Sequence, residues 1–410
     1  MPTDSFSPQE NKNSRRQLTV TAALLSMVGP FSINAYLPSF PDIEAAFDAT
    51  RALLAQSLTV YLLAFAVSTL FWGPLSDRIG RRRTLLVSMS LYLIASMACA
   101  LSPDAKSFLM SRAAQGLTAS GGFIIARAMI RDSYDTSSAH KAMAQVTLIF
   151  ATGPAIAPIL GGALQDQFGW RSVFWFLSSF GALLLLLGFA IRETLPGDKR
   201  QSFHPYKVSA AYLQIALHRQ FVCLVFSLSL GFAGLFVYIA GAPTVVYEFL
   251  GLSTTDFGLH FVPLVGGMIL GSYYSGRKAH QWPPARTIAI GFCIMIIAAV
   301  LNLLSSLLST ATLYSVIAPL VMYAFGYAMI MPAITILALD YFPLRRGSAT
   351  SMQGFVQVAI SAVVTSIAIP LLNTSRLNFA VGQLLFLAMA VILIMLFQRL
   401  QGSTAAETPA

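Results

Sequence analysis

The 410 residues contain sixteen carboxylates, and none lies in the middle of a long apolar run. Glu248 and Asp340 come nearest, each close to the end of such a run. The polar side chains that do lie deep are an amide and a guanidinium. Asn34 sits in a run that begins at Leu18 and meets no charge until Asp42, and Arg112 sits in the run 108–130. An amide buried there must find a hydrogen-bond partner. A carboxylate there would handle protons, whereas Asn has no accessible ionisation. Arginine in such a run costs about 2.5–3.5 kcal/mol on insertion scales, and it either faces a cavity or snorkels to a nearby interface. Asn34 is about 12 Å of helix inside Asp42 and Arg112 about 9 Å inside Lys106. At similar depths the two can meet across a cavity, or Asn34 can simply bond a neighbouring helix. Cys99, Cys223 and Cys293 stand singly in separate runs without metal-ligand spacing and read as packing residues. No nucleophile–base pair or metal cluster falls inside the runs, and no GxxxxGK[ST] loop occurs. The pattern implies no enzyme, no cofactor, no metal and no direct drive by ATP.

The elements that hold these residues follow from composition. The chain is 56% hydrophobic and 10% charged, with mean hydropathy +0.70, against about 25% charged in soluble proteins. Its surface must therefore face lipid. Runs of about 20 apolar residues match a helix crossing about 30 Å of hydrocarbon, and strand alternation is absent. The expected class is an all-α integral membrane protein with twelve transmembrane helices in two pseudo-symmetric six-helix bundles. The spans fall at 18–38, 52–72, 83–101, 108–130, 141–163, 172–191, 221–246, 257–276, 286–307, 312–338, 347–372 and 378–398. The first is too long for a signal-peptide core and stays as a membrane helix.

Lysine and arginine set the orientation. With both termini cytoplasmic, 21 of the 26 lie on the cytoplasmic side; Arg51, Lys106, Arg171 and Arg376 lie outside, and Arg112 within a span. The +10 charge thus reflects topology and contact with the lipid bilayer, not nucleic acid. Segment 192–220 divides the chain into a tail (1–17), a first bundle (18–191), the linker, a second bundle (221–398) and a tail (399–410). Within the linker, Val208, Tyr212 and Ile215 recur at helical spacing, as in a short helix on the membrane surface, or the segment is a plain linker. The halves show weak internal symmetry: placing Pro38 on Pro243 brings YLPSFPDIEAAFDAT onto GAPTVVYEFLGLSTT without gaps, and GPLSDRIGRRR has a degraded counterpart in SGRKAHQWPPAR. Parallel halves of this kind place a substrate site between them at the midplane.

Three motifs carry more information. GPLSDRIGRRRTLL, at 73–86, combines Gly73, Asp77, Arg78, Gly80, Arg81 and Arg82. Gly73 would let helices approach, Gly80 would turn the chain, and Asp77 would face a helix N-terminus or a neighbouring arginine as a latch between the halves. ATGPAIAPILGGAL, at 151–164, sets Gly153, Pro154, Pro158, Gly161 and Gly162 along a kinked, close-packing helix. SRAAQG, at 111–116, contains Arg112; ARAMIRD follows with Arg127 and Arg131, which are expected to reach the cytoplasmic headgroups.

The first motif resembles the signature loop of the major facilitator superfamily. The other two resemble its fifth- and fourth-helix motifs. With GWRSVFWFL, FAGLFVYIAGAP and FGLHFVPLVGGMILGS, the chain is similar along its length to the Bcr/CflA-type drug:proton antiporters. That resemblance implies a bacterial inner-membrane carrier with two rocking six-helix bundles, a small amphipathic substrate and export driven by proton entry, with a monomer as the expected unit. The family's first helix usually carries an Asp in a T-D-M-Y-L-P string. Here Ile33-Asn34-Ala35-Tyr36-Leu37-Pro38 has the amide instead. Coupling through another group, an uncoupled facilitator, an anion-preferring exporter, and an Asp-to-Asn exchange mimicking the protonated state all remain open, beside a transport-inactive sensor or scaffold. The candidate pathway residues are Asn34, Tyr36 and Arg112 in the first half. In the second they are Tyr238, Tyr323, Tyr327, Gln353 and Gln357.

Overall fold

The computed structural model describes residues 8–134, 136–200, 205–278, 281–308 and 312–406, and among them there are helices and no strands. The outer parts of both expected tails, residues 201–204 of the linker and the side chain of Val208 lie outside the described residues. The first group of helices is α1 (Pro8–Ser26), α2 (Val28–Asn34), α3 (Phe40–Phe47), α4 (Arg51–Ile79), α5 (Arg81–Leu101), α6 (Ala105–Ser133), α7 (Thr136–Phe168) and α8 (Arg171–Ala190). The linker forms α9 (Pro205–Ala216). The second group is α10 (Arg219–Ala240), α11 (Phe257–Lys278), α12 (Pro284–Leu308), α13 (Leu313–Asp340), α14 (Arg346–Val363), α15 (Ile369–Leu372) and α16 (Arg376–Ala406).

Among the described residues, eleven segments are long and apolar enough to cross a membrane. The twelfth crossing is α6, whose 29 residues include Lys106, Arg112, Arg127 and Arg131. Its start is fixed by Asp104, which accepts from the Ser107 amide at 2.8 Å while Ser107 reciprocates. That backbone bond holds the Asp104 carboxyl below the usual carboxylate range. The first crossing is broken rather than continuous. It passes from α1 through α2 to a 3-10 turn at Leu37–Ser39. The corresponding α10 gives way near Pro243 to a π turn at Thr244–Phe249.

The two groups repeat one packing scheme. In the first, α4 lies against α6, and α5 against α6 and α8; in the second, α11 lies against α13, and α12 against α13 and α16. The contacts between groups, α4 with α14 and α7 with α11, are exchanged by the same symmetry. Large apolar side chains on the outer faces, among them Leu186, Ile94 and Leu385, are exposed, as lipid-facing positions should be.

The bundle has a linker end and a far end. At the far end the groups are joined tightly. The Tyr247 hydroxyl donates to the Pro38 carbonyl at 2.6 Å, and Thr59 and Thr365 share a hydroxyl hydrogen bond of 2.9 Å. The void left between them, lined in part by Phe40, Ala55, Leu58 and Thr365, is about 20 Å³, room for roughly one water. Towards the linker end α6 has no extended packing with α13 or α14 among the described residues. The far end is therefore closed while the groups diverge towards the linker.

Candidate functional site

Arg112 is fully enclosed. One guanidinium nitrogen donates to Gln115 Oε1 and the other to the Ser32 carbonyl at 3.1 Å. The Tyr36 and Tyr61 rings lie 4.3 and 4.4 Å from its carbon, close enough for cation–π attraction. Gln115 passes the network on to Ser96 Oγ at 2.8 Å. Helices α2, α4, α5 and α6 thus converge on one charge, and Arg112 neither snorkels nor opens to the gap between the groups.

Asn34 does not join this network. Its Nδ2 donates back to the Pro30 carbonyl at 2.8 Å, one turn earlier, and its Oδ1 has no partner among the described residues. Similar depth was not enough for a meeting, because Ser32, the residue that reaches Arg112, is 200° round the helix from Asn34 at 100° per residue.

In the second group, the Tyr238 hydroxyl accepts from Asn302 at 2.6 Å, and Asn302 also donates to Gln383 at 2.7 Å. The Tyr323 hydroxyl donates to the Gly231 carbonyl at 2.9 Å. Both tyrosines are buried within the group. Tyr327 and Gln357 come together across α13 and α14, with Gln357 Nε2 3.5 Å from the hydroxyl. Gln353 donates to Thr335 at 2.9 Å, leaving its Oε1 unpaired. Asn302 and Gln383 were missed, although as amides in apolar runs they carry the signal that marked Asn34. His260 was also missed; its Nε2 lies 3.2 Å from the Tyr238 carbonyl. Asp340 is exposed and paired with Arg346 at 3.0 Å, and Glu248 lies in the far-end π turn, so neither enters the interior.

The signature loop closes on itself and on the linker. Asp77 pairs with Arg81 at 2.6 Å, and Arg81 Nε donates to Asp132 at 2.9 Å. Glu193, from the start of the linker, accepts from the Arg81 and Arg82 amides at 2.9 and 3.3 Å. It supplies the anion at the α5 N-terminus, a place expected for Asp77. Arg82 donates to the Phe189 carbonyl at 2.9 Å, and Arg78 is exposed. Among the described residues these bonds run within the first group and to the linker, not between the halves as expected. Gly80 makes the turn with φ 101°, a value L side chains rarely adopt. At Gly73 a Cβ would meet only Ile124, at 3.8 Å, so close approach does not demand glycine there.

On α7 the glycines have separate duties. A Cβ at Gly161 would strike the Ala35 carbonyl, 2.6 Å from its carbon, within the first group. At Gly162 it would lie 2.5 Å from the Thr254 carbonyl oxygen, across the gap to the second group. At Gly153 it would come within 2.8 Å of Pro30, and Pro154 and Pro158 lie inside the helix. Arg127 departs from expectation. Its guanidinium carbon lies 4.0 Å from the Phe123 ring centre, one turn deeper, rather than among headgroups. Arg131 is two-thirds exposed, as expected. A cavity of about 580 Å³ opens between α4, α9 and α14 beside Leu70, Tyr212 and Met352, and none of the nominated pathway residues lines it.

Two helix groups sealed at one end and diverging at the other make a membrane carrier. Residues 22–366 match the Major Facilitator Superfamily, and the chain belongs to that family; it is a multi-pass membrane transporter, not an enzyme. It is 30% identical over 86% of its length to the uncharacterized MFS-type transporter YdgK of Bacillus subtilis, covering 88% of that protein. It is 25% identical to Multidrug resistance protein D of Escherichia coli, over 88% of this chain and 90% of that one. The same identity, over 85% and 87%, relates it to the Bicyclomycin resistance protein homolog of Haemophilus influenzae. These relatives bear out the resemblance to Bcr/CflA-type exporters. The crystal structure of a D-xylose-proton symporter shares the fold, with TM-score 0.75 and 16% identity over 93% of this chain and 96% of that one.

Proposed function

We propose that the protein exports small amphipathic compounds, drugs among them, across a bacterial inner membrane by alternating access, with both termini and the linker cytoplasmic and a monomer as the working unit. The observation that carries this reading is the closure of one end only, by contacts that join separately packed groups. Gly162 against Thr254 and Thr59 against Thr365 can part without disturbing either group's core. The full-length relatives named for multidrug and bicyclomycin resistance supply the substrate class. In this orientation the far end is external and the cavity opens inward, the loading state of an exporter.

Proton coupling is the open part of the mechanism. Asn34 stands where the family pattern has Asp, and the carboxylates closest to mid-span lie at helix ends. That favours, as a second reading, an uncoupled facilitator. Flux of a drug from sealed vesicles, with and without an imposed pH gradient, tests both. Gradient-driven efflux supports antiport, and flux down the drug gradient alone supports the facilitator. No flux of any compound would leave the transport-inactive sensor.

A further inference from the structure

Arg127 is the second guanidinium in the body of α6, about 9 Å of helix from its end at Ser133. The Phe123 ring beneath it pairs with Phe150 of α7 at 5.7 Å. That aromatic face gives partial compensation for the charge. Among the described residues no ion pair includes Arg127, and its Nε has no hydrogen-bond partner. A half-buried cation whose buried Nε lacks a partner among the described residues is costly.

The surrounding geometry shows where that edge looks. Residues four apart share a helix face, and Arg131 on the same face reaches the second group. Its Nη1 is 3.9 Å from where a side chain at Gly347 of α14 would begin. Seven residues on, Gly354 keeps the same face of α14, two turns deeper. A Cβ there would meet nothing within 4 Å, although the residue is only partly exposed. At Arg131 and Gly347 a long side chain spans the gap, and two turns deeper Gly354 leaves room beside α14. The Arg127 side chain leans inward to that level, over Phe123, as helical side chains lean towards the N-terminus.

We propose that Arg127 selects charge in the transport path and that the compounds carried are amphipathic organic anions. A carboxylate, sulfonate or phosphate would pair with the guanidinium, whose Nε lies buried without a partner among the described residues and where bidentate pairing is favoured. An aromatic or aliphatic body would lie along Phe123 and Phe150, in the space left by Gly354. Arg112 cannot do this work, since Gln115, Ser32 and two tyrosine rings enclose it. The inference rests on the exporter reading only for the direction of movement, and binding tests it separately.

The test uses the purified full chain in phosphatidylcholine nanodiscs. Equilibrium binding is measured for naphthalene-2-sulfonate and for 2-naphthyltrimethylammonium, which share a ring and differ in charge. The unaltered protein is expected to bind the sulfonate about tenfold or more tightly than the ammonium, and Arg127→Gln to lose that preference. Arg127→Lys should keep a charge preference, and Arg131→Gln should bind like the parent. Equal binding of both ions by the parent overturns the proposal. So does undiminished sulfonate binding by Arg127→Gln, or an equal loss in Arg131→Gln. If Arg127→Gln does not fold, Arg127→Lys decides: binding both ions alike would overturn the assignment. Vesicle flux of the same pair reads the other question. Arg127-dependent sulfonate binding without flux overturns export alone, whereas flux of the ammonium without sulfonate binding overturns the anion site alone.

Discussion

Replacing Gly162 with alanine is expected to open the far end without loosening either helix group. The added Cβ would sit 2.5 Å from the Thr254 oxygen and 3.3 Å from its carbon, where real Cβ atoms essentially never come within 3.0 Å. The contact between α7 and the 3-10 turn before α11 must therefore widen by about 0.5 Å, from 2.5 to 3.0 Å. The neighbour is backbone and cannot swing aside. Overpacking of this kind costs about 1–3 kcal/mol, and the cost falls only on the far-end-closed conformation. The equilibrium should shift towards far-end opening by about 5- to 150-fold. A cysteine at Ala55, which lines the closed void, reports the shift when Cys99, Cys223 and Cys293 are serine. Its labelling by a membrane-impermeant maleimide from the far side should accelerate with the open fraction. Gly276→Ala is the control, since a Cβ there meets nothing within 4 Å. Unchanged labelling in a folded Gly162→Ala protein, or an equal rise with Gly276→Ala, would refute the reasoning.

Gly161→Leu should differ in kind, because its clash with Ala35 lies within one group and persists in every conformation. Melting in detergent should fall and transport should fail; parental melting and flux would dismiss the close-packing argument. Asp77→Asn should cripple transport while leaving membrane insertion intact, since Arg81 loses one of its two carboxylates; near-normal flux would reduce the loop to a topology signal. Asn34→Asp should create or strengthen pH-gradient-dependent export and favour cationic substrates. Vesicle efflux with and without the gradient checks this. Strong gradient-driven efflux by the unaltered protein would move the coupling site away from position 34.

The architecture was legible because a lipid-facing chain must announce its crossings as long apolar runs, and repeated halves repeat their prolines. Arg112 was legible as important, but its partners were not: helical phase, not depth, decides that Ser32 reaches it and Asn34 does not. Glu193 was invisible as a helix cap because it lies more than 110 residues from the amides it holds, in a segment read only as linker. The roles of Gly161 and Gly162 were seen as one face. Adjacent residues point about 100° apart on a helix, and here that angle separates a contact within the first group from one with the second.

The enclosure of Arg112 also has a consequence for biogenesis. Arg112 alone hinders the entry of α6 into the bilayer by about 2.5–3.5 kcal/mol, and α6 falls outside the segments apolar enough to enter on composition. The groups that receive the charge are the Ser32 carbonyl, the Tyr36 and Tyr61 rings and, through Gln115, the Ser96 hydroxyl. Ser32, Tyr36, Tyr61 and Ser96 all precede Arg112 in the chain. A ribosome working from the N-terminus therefore delivers these groups before the charge that needs them, and the Phe174 ring, 5.9 Å from the guanidinium, joins them later. Translation order itself lowers the barrier to inserting α6, and a permuted chain that began at α6 would have to place the arginine before its receptor existed.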